Sequence, residues 1–243
     1  MDVHKKINIL IPQVSYFSAI CLIKLLHKIN NISIKIVGCG KFPNGMTSGS
    51  LLVNNYYQSP ECNEHNQYLF FIKQLCKKEK IDIIIPSDED ELLFLETHRY
   101  ELDCMLICPK KEILALFLDK YEASITMEKL GIQTPKIITD LCNQQPKNGK
   151  VIFREKHGSG SQGIYKINLQ IDHYIINKFN KKTFIQECIE GKEYTVDVLC
   201  DKDGNIKIAV PRHRLDIRAG ISYKCSIKYN EDIISIVKNI YSK

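Results

Sequence analysis

The sequence predicts an α/β fold in which a doubly wound parallel sheet is followed by a second, α+β unit. Three observations support this prediction. Short apolar runs alternate with amphipathic helical segments up to Pro109, the alternation stops there, and the rest of the chain has short strands separated by turns. Alternation of strands and helices is typical of a parallel sheet, because each crossover between parallel strands uses a helix. We therefore predict one domain over residues 1–109 and another over residues 110–243.

Four apolar runs in the first domain predict buried strands. Each run is short and continuous, as expected for a strand covered on both faces of a parallel sheet. The runs are Ile7–Ile11, Ile32–Val37, Ile81–Ile85 and Met105–Cys108.

The segments between these runs predict three helices and one loop. Apolar residues recur at helical spacing in Phe17–Ile29, Glu64–Lys78 and Leu92–Leu102. An acidic turn at 87–91 precedes the third helix, and Ser87 or Asp88 is expected to cap it. The stretch 42–59 contains Gly, Asn, Ser and Pro throughout and predicts a loop.

The second domain is predicted to begin with two helices, 110–118 and 119–130, of which the second ends at Gly131. A hairpin turn is expected at 201–205, and an amphipathic helix at 232–241. The predicted strands are Lys136–Thr139, Lys150–Arg154, Ile164–Ile167, Thr183–Cys188, Tyr194–Cys200 and Ile206–Val210.

Composition and charge exclude several classes of protein. The chain has 243 residues, of which 44% are hydrophobic and 26% charged, and this is enough apolar material for a buried core. The net charge of +6 is spread along the chain without a basic stripe carrying aromatic residues, so we expect no nucleic-acid partner. No stretch approaches the roughly 20 apolar residues of a membrane span, and the N-terminal apolar run is too short for a signal peptide. We therefore expect no membrane association and a cytoplasmic protein.

The ten cysteines include no Cys-x-x-Cys pair, and no histidine lies at zinc-finger spacing. Several lie within apolar runs, where cysteine is a small buried hydrophobic residue. This pattern is typical of a reduced compartment, and it predicts no metal ligands in this chain.

A glycine-rich loop, Gly158–Gly163, is the most distinctive local motif. It fits Gly-x-Gly-x-x-Gly, but the residues after it alternate like a strand, whereas a dinucleotide-binding fingerprint requires a helix there. The loop is therefore expected to join two antiparallel strands. Such a loop can lay its amides over phosphates, and a surface hairpin without a ligand is equally compatible with the motif alone.

Together with this loop, three further segments resemble the ATP-grasp enzymes, within them the branch like the carbamoyl-phosphate synthase large subunit. The first is Ile83-Ile84-Ile85-Pro86 with the acidic cluster after it, and the second runs from Asp119-Lys120 to Pro135. The remaining segment, Gln186–Asp197, follows the glycine-rich loop. No segment is specific by itself, but the four stand in the family's order.

The resemblance implies an ATP site. Lys120 matches a lysine that the family directs at the phosphates, Arg154 stands where the family usually has lysine, and Glu193 matches a carboxylate that binds the ribose hydroxyls. An arginine keeps the positive charge of a lysine but differs from it in shape. The residues that match the loop over the phosphates are Ser159, Gly160, Ser161 and Gly163. The residues that match the segment along the adenine are Gln186, Glu187, Cys188 and Ile189.

The resemblance also implies a reaction. ATP would phosphorylate a small-molecule carboxylate, and an amine would then displace the phosphate. Arg214 and Arg218 match positions near the transferred phosphate and the carboxylate. A guanidinium group suits both because it can make two hydrogen bonds to either one. The family supplies carboxylates for Mg²⁺ from a late Glu-x-Asn motif, and no such motif follows Gly220. We therefore expect the second domain to be incomplete at its C-terminus. The expected protein partner is a second copy of the chain, in a homodimer, or a chain that supplies the missing C-terminal part.

Alternatives remain open at this point. Lys120 could be an exposed helix residue, the glutamates could be the exposed acids of an alternating strand, and the arginines a solvated strand face. The acidic turn could face a substrate cleft or only begin a helix. The chain could thus be an ATP-dependent carboxylate–amine ligase, a non-catalytic nucleotide-binding remnant or one part of a split ligase, or an unrelated α/β binding protein.

Overall fold

The computed structural model describes residues 6–141, 143–144, 146, 148–158, 163–169, 182–201, 203–218 and 220–241. The chain divides into two compact units, residues 1–115 and 116–243. No helix among the described residues is long and apolar enough to cross a lipid bilayer.

The first unit is built on a five-stranded parallel sheet, in which the four predicted strands are joined by a fifth. The strand order is β3-β2-β1-β4-β5, and every neighbouring pair is parallel. The strands are β1 (Lys6–Ile11), β2 (Ser33–Gly40), β3 (Asn55–Gln58), β4 (Ile83–Ile84) and β5 (Met105–Leu106).

Helices cover both faces of this sheet because successive strand residues point to opposite sides. On β1, Ile9 belongs to one buried cluster and Leu10 to the other. The helices are α1 (Phe17–Leu26), α2 (His65–Glu79) and α3 (Glu89–Thr97), and 3-10 helices lie at Ser48–Leu51 and Arg99–Glu101. Helix α1 contributes to the cluster of Ile9, whereas α2 and α3 contribute to the cluster of Leu10. The doubly wound prediction is confirmed.

Two local predictions in this unit were wrong. The stretch 42–59 is not a continuous loop, because it contains β3, whose residues pair in register with the end of β2. Strand β3 has only four residues, of which Tyr56 and Tyr57 pack against the two buried clusters. The Tyr56 hydroxyl donates to the carbonyl oxygens of Gly40 (3.0 Å) and Phe42 (2.5 Å). Helix α3 begins at Glu89 rather than Leu92. Asp88 is its N-cap, as predicted, and its side chain accepts a hydrogen bond from the backbone N–H of Glu91.

The second unit contains two antiparallel sheets. The first has the order β6-β9-β7-β8, and the second the order β10-β11-β12. The strands of the first are β6 (Ile137–Ile138), β7 (Lys150–Glu155), β8 (Ile164–Asn168) and β9 (Thr183–Glu187). Those of the second are β10 (Tyr194–Cys200), β11 (Ile206–Arg218) and β12 (Ile221–Ile227). Helices α4 (Lys111–Leu118), α5 (Lys120–Lys129) and α6 (Glu231–Tyr241) complete the described elements.

Strand β11 is much longer than predicted. The predicted strand ends at Val210, directly before Pro211, a residue without the N–H that a strand ladder uses. In the structure, Pro211 lies opposite Val196 and the antiparallel pairing continues past it. The three arginines that follow are therefore strand residues, and β12, which the prediction omitted, pairs with the same segment.

Candidate functional site

The glycine-rich loop connects two antiparallel strands, as predicted. Strands β7 and β8 pair from Lys150 opposite Asn168 to Arg154 opposite Ile164. Gly158 and Gly163 have φ angles of 122° and 67°, a region that favours glycine. A Cβ atom at Gly163 would lie 2.6 Å from the side chain of Glu155. Both ends of the loop thus require glycine, while Ser159, Gly160 and Ser161 lie outside the described residues.

Lys120 lies against this loop. It is the first residue of α5, whose N-cap Asp119 accepts hydrogen bonds from the backbone of Tyr121 (2.9 Å) and Glu122 (3.1 Å). The backbone N–H of Lys120 donates to the carbonyl of Lys156 at 2.8 Å. Its Nζ atom donates to the carbonyl oxygen of Gly158. The cap and the Lys156 bond thus fix the helix start beside the loop, and the Lys120 ammonium points to the loop's first glycine.

Arg154 supplies a second cation to the same end of the sheet. It is half-buried on β7, opposite Phe184 of β9 and Ile164 of β8. Burial lowers the pKa of its guanidinium, which nevertheless stays charged in proteins. Its Nε atom is buried and has no hydrogen-bond partner among the described residues. A buried donor without an acceptor is costly, so this position is suited to an anionic ligand.

At the other end of β9, Gln186 and Glu187 are held by the protein itself. Gln186 is buried, and its Nε2 atom donates to Ser124 Oγ (3.2 Å) and to the carbonyl of Pro135 (3.3 Å). The backbone N–H of Glu187 donates to the carbonyl of Lys136, and the backbone N–H of Lys136 donates to the Glu187 carboxylate, both at 3.0 Å. These side chains therefore fix the exit of β9. The role of Lys136 in holding Glu187 was not predicted. The available signal in the sequence was its position directly after a proline and before an apolar strand.

A cavity of about 730 Å³ lies beside this exit. Its walls include the segment 136–138 on one side and 187–190 on the other. Cys188 is buried, and its carbonyl accepts a hydrogen bond from Asn148 Nδ2 at 3.1 Å, whereas Ile189 is 63% exposed. The wall at 187–190 therefore offers backbone groups and an apolar side chain, which can bind the edge and face of a planar base.

The strand register relates this cavity to the cationic end of the sheet. Glu187 lies opposite Val151 on β7, and Phe184 lies opposite Arg154. Three residues of strand separate the two positions, which corresponds to about 10 Å. An elongated ligand with an apolar base and an anionic tail would therefore extend along β7.

The structure brings Glu193 and Arg214 together. The Nη1 atom of Arg214 forms an ion pair with the Glu193 carboxylate, and the backbone N–H of Arg214 donates to the Glu193 carbonyl at 2.8 Å. The Nη2 atom donates to the carbonyl of Gly220 at 2.6 Å. The side chain of Arg214 is 13% exposed, whereas that of Glu193 is 58% exposed. Most of the Arg214 side chain is thus covered, whereas the Glu193 carboxylate that it binds is accessible.

Arg218 has different surroundings. Its side chain is 63% exposed and lies 3.3 Å from Asp216, and its guanidinium lies 3.8 Å from the ring centroid of Tyr223. In its neighbourhood, Arg212 makes two hydrogen bonds to Asp197, at 2.5 and 2.9 Å, which raise the pKa of Arg212. These arginines are close together in the sequence, but in the structure each one pairs with a different carboxylate.

Among the described residues, no group of three or more His, Cys, Asp or Glu side chains could hold a metal ion.

Two family models match the chain. A model described as an ATP-grasp domain matches residues 117–243, and one described as a PylC-like N-terminal domain matches residues 17–109. No curated protein matches.

Solved structures of several ligases and carboxylases have a similar fold. The biotin carboxylase domain of Hydrogenobacter thermophilus 2-oxoglutarate carboxylase, solved with MgADP, ADP and bicarbonate, is 17% identical with a TM-score of 0.64, and the match covers 88% of this chain and 51% of that one. N5-carboxyaminoimidazole ribonucleotide synthetase from Thermotoga maritima is 17% identical with a TM-score of 0.60, covering 98% and 60%. L-amino acid ligase from Bacillus licheniformis is 13% identical with a TM-score of 0.62, covering 97% and 58%. At such identities the likeness concerns the fold, and the chain spans 51–60% of these three proteins.

Proposed function

Because the chain belongs to the ATP-grasp domain family, we propose that it binds ATP and acts as an ATP-dependent, ADP-forming ligase that joins a carboxylate to an amine. The observation that carries the proposal is the arrangement at the glycine-rich loop. Lys120 reaches the carbonyl of Gly158, and the buried Nε of Arg154 has no acceptor among the described residues. Two cations beside a loop of backbone amides suit a triphosphate.

The base would lie at the exit of β9. The N–H groups of Glu187 and Cys188 and the Cys188 carbonyl already bond within the protein, so backbone groups of Ile189 would bind the polar edge of the base. The exposed Ile189 side chain would cover its face. Glu193 would accept hydrogen bonds from the ribose hydroxyls. Arg214 already binds this carboxylate, and a carboxylate can accept several hydrogen bonds, so Arg214 would hold Glu193 in position while the ribose binds.

In the reaction, bound ATP supplies a phosphoryl group to an oxygen of the substrate carboxylate, and ADP leaves. The amine then attacks the acyl carbon, forms the new C–N bond and releases phosphate. Lys120 and Arg154 would neutralise charge on the phosphates, and the loop at 158–163 would exclude water from them. In the proposal, the exposed Arg218 binds the carboxylate and the transferred phosphate, whereas Arg214, for which the sequence predicted the same role, holds Glu193.

Magnesium is proposed to accompany the nucleotide, since it spreads the charge of a triphosphate. A structural neighbour was solved with MgADP. Phosphate oxygens of the nucleotide would supply part of its coordination.

Calorimetry and an ADP-release assay on the full chain test this function separately. Saturable binding of magnesium-ATP is expected, and ADP release is expected to depend on both a carboxylate and an amine. No binding at millimolar ATP would reject the nucleotide site. Binding without ADP release for a broad panel of carboxylates and amines would favour a non-catalytic or split form.

A further inference from the structure

Two cysteines of the first unit lie in sulfur–sulfur contact. The Sγ atoms of Cys76 and Cys104 are 3.9 Å apart and share a hydrogen bond. Cys76 is buried in the last turn of α2, and Cys104 is half-buried in the bend before β5. The two residues are 28 positions apart in the chain. The fold therefore holds two thiols together that the sequence gives no reason to pair.

A cavity borders one thiol of this pair, Cys76, and the other thiol, Cys104, is half-buried. The cavity has a volume of about 300 Å³, and Cys76 contributes to its wall. Charged side chains of both signs form much of the remaining wall, namely Lys73, Lys77, Lys80, Glu101 and Asp103. A polar cavity of this size admits water and a molecule as small as hydrogen peroxide.

The two thiols have different reactivity. In the structure the Cys104 thiol donates to the Cys76 sulfur. When Cys104 is ionised, the Cys76 S–H donates to it instead, which lowers the pKa of Cys104 and raises the pKa of Cys76. Burial and the nearby carboxylates of Asp103 and Asp82 oppose this effect at Cys104. Because the thiolate is the nucleophile in thiol chemistry, Cys104 is the residue that would react first.

We propose that Cys76 and Cys104 are a redox modification site, which a hydroperoxide converts to an intramolecular disulfide. The Cys104 thiolate attacks a peroxide oxygen, the O–O bond breaks, and Cys104 becomes a sulfenic acid while the departing hydroxide takes up a proton to form water. The Cys76 sulfur then attacks the sulfenic sulfur, the S–S bond forms, and the S–O bond breaks with release of a second water. In total, two thiols are oxidised and one peroxide is reduced to two waters. A dithiol reductant reverses the change.

The disulfide would link the end of α2 to the segment that enters β5. Strand β5 pairs with β4 through only Met105 and Leu106. A cross-link across 28 residues also restricts the unfolded chain, so oxidation should raise the melting temperature of the first unit.

The test uses the folded full chain treated with hydrogen peroxide, followed by alkylation of free thiols and tryptic mass spectrometry. We expect a cross-link between the Cys76 peptide and the peptide 100–110, with a mass two hydrogens below the sum of the two peptides. Dithiothreitol should separate the two peptides. Peptide 100–110 also contains Cys108, so Cys108→Ser is the matched variant that assigns the bond. The cross-link should persist in Cys108→Ser and be absent from Cys76→Ser and Cys104→Ser.

Three results would overturn the proposal. The first is sulfenic or sulfinic acid on Cys104 with no cross-link in the folded chain. The second is a cross-link that disappears in Cys108→Ser and not in Cys104→Ser. The third is an equal cross-link yield in urea-unfolded chain, since the fold would then not be the cause of pairing. The Cys108→Ser chain, which keeps both thiols, should also show the increase in melting temperature on oxidation.

Discussion

Arg154 is the residue on which ATP affinity should depend most directly. Its buried Nε has no acceptor among the described residues, and a phosphate oxygen would supply one. Hydrogen bonds to charged groups contribute about 1.5–3 kcal/mol, so Arg154→Met should weaken ATP binding by at least about tenfold in calorimetry. Arg154→Lys should retain part of the affinity. Lys129→Met, at the far end of α5, is the control, and an equal loss in both methionine variants would point to general electrostatics instead.

Glu193 should contribute to binding through its exposed carboxylate. Glu193→Gln keeps the size of the side chain but weakens both the ion pair to Arg214 and the acceptor for ribose hydroxyls. We expect a loss of ATP affinity with a smaller loss for inorganic triphosphate, which has no ribose. Asp197→Asn is the matched control, because it breaks the neighbouring pair with Arg212 on the same sheet. An equal loss for ATP and triphosphate would remove the ribose assignment.

Glu91 should make stability depend on pH. Burial raises the pKa of this carboxyl to about 8, the hydrogen bond from Tyr68 opposes the rise, and the charge of Asp88 adds to it. The raised pKa means that the folded chain binds a proton that the unfolded chain has lost. The resulting stability is complete below the ordinary pKa of 4.5 and is lost as pH rises to about 8.

Urea unfolding between pH 5 and pH 9 checks this expectation. The wild-type chain should lose up to about 1.4 kcal/mol per pH unit relative to Glu91→Gln, which cannot ionise. Glu89→Gln, in the same helical turn but exposed, should follow the wild type. A constant difference between wild type and Glu91→Gln across this range would show that the buried carboxyl does not titrate there.

At the scale of elements, the sequence predicted most of the strands and helices that position the site. Continuous runs such as Ile7–Ile11 identify buried strands, because a strand covered on both faces needs apolar residues throughout. Strand β3 was hidden because it has only four residues within a stretch containing Gly, Asn, Ser and Pro throughout, and because its structure depends on pairing with β2. The pairing of Glu193 with Arg214 could not be read either, since it depends on the register of β10 and β11 and on the segment before β10.

The shape of the glycine-rich loop depends on Gly163. Gly163→Ala would place a side chain at a φ of 67° and against Glu155, and a left-handed conformation costs roughly 1–2 kcal/mol for an ordinary residue. Since the loop ends would shift, ATP affinity should fall. Gly204→Ala is the matched control, because Gly204 has a φ of 83° in the β10–β11 turn with open space around it. It should lose stability from the left-handed conformation alone, without a clash, and keep its ATP affinity. An equal fall in ATP affinity for both variants would contradict the role of the loop.

At the scale of the whole molecule, ATP binding should appear as stability. A ligand that binds only the folded chain stabilises it by about 2.7 kcal/mol at one hundred times its Kd. Urea unfolding with and without magnesium-ATP should show this gain for the wild type. For Arg154→Met at the same ATP concentration, a tenfold rise in Kd would reduce the gain to about 1.4 kcal/mol. Hydrogen exchange should locate the added protection in the second unit, at 150–158 and 183–193. The ATP-grasp model matches residues 117–243, and a different model matches the first unit. The location of the protection therefore tests whether the nucleotide binds to the ATP-grasp part of the chain. If protection arose without change in those two segments, the nucleotide would bind elsewhere, and the assignment of Lys120, Arg154 and the β9 exit would be wrong.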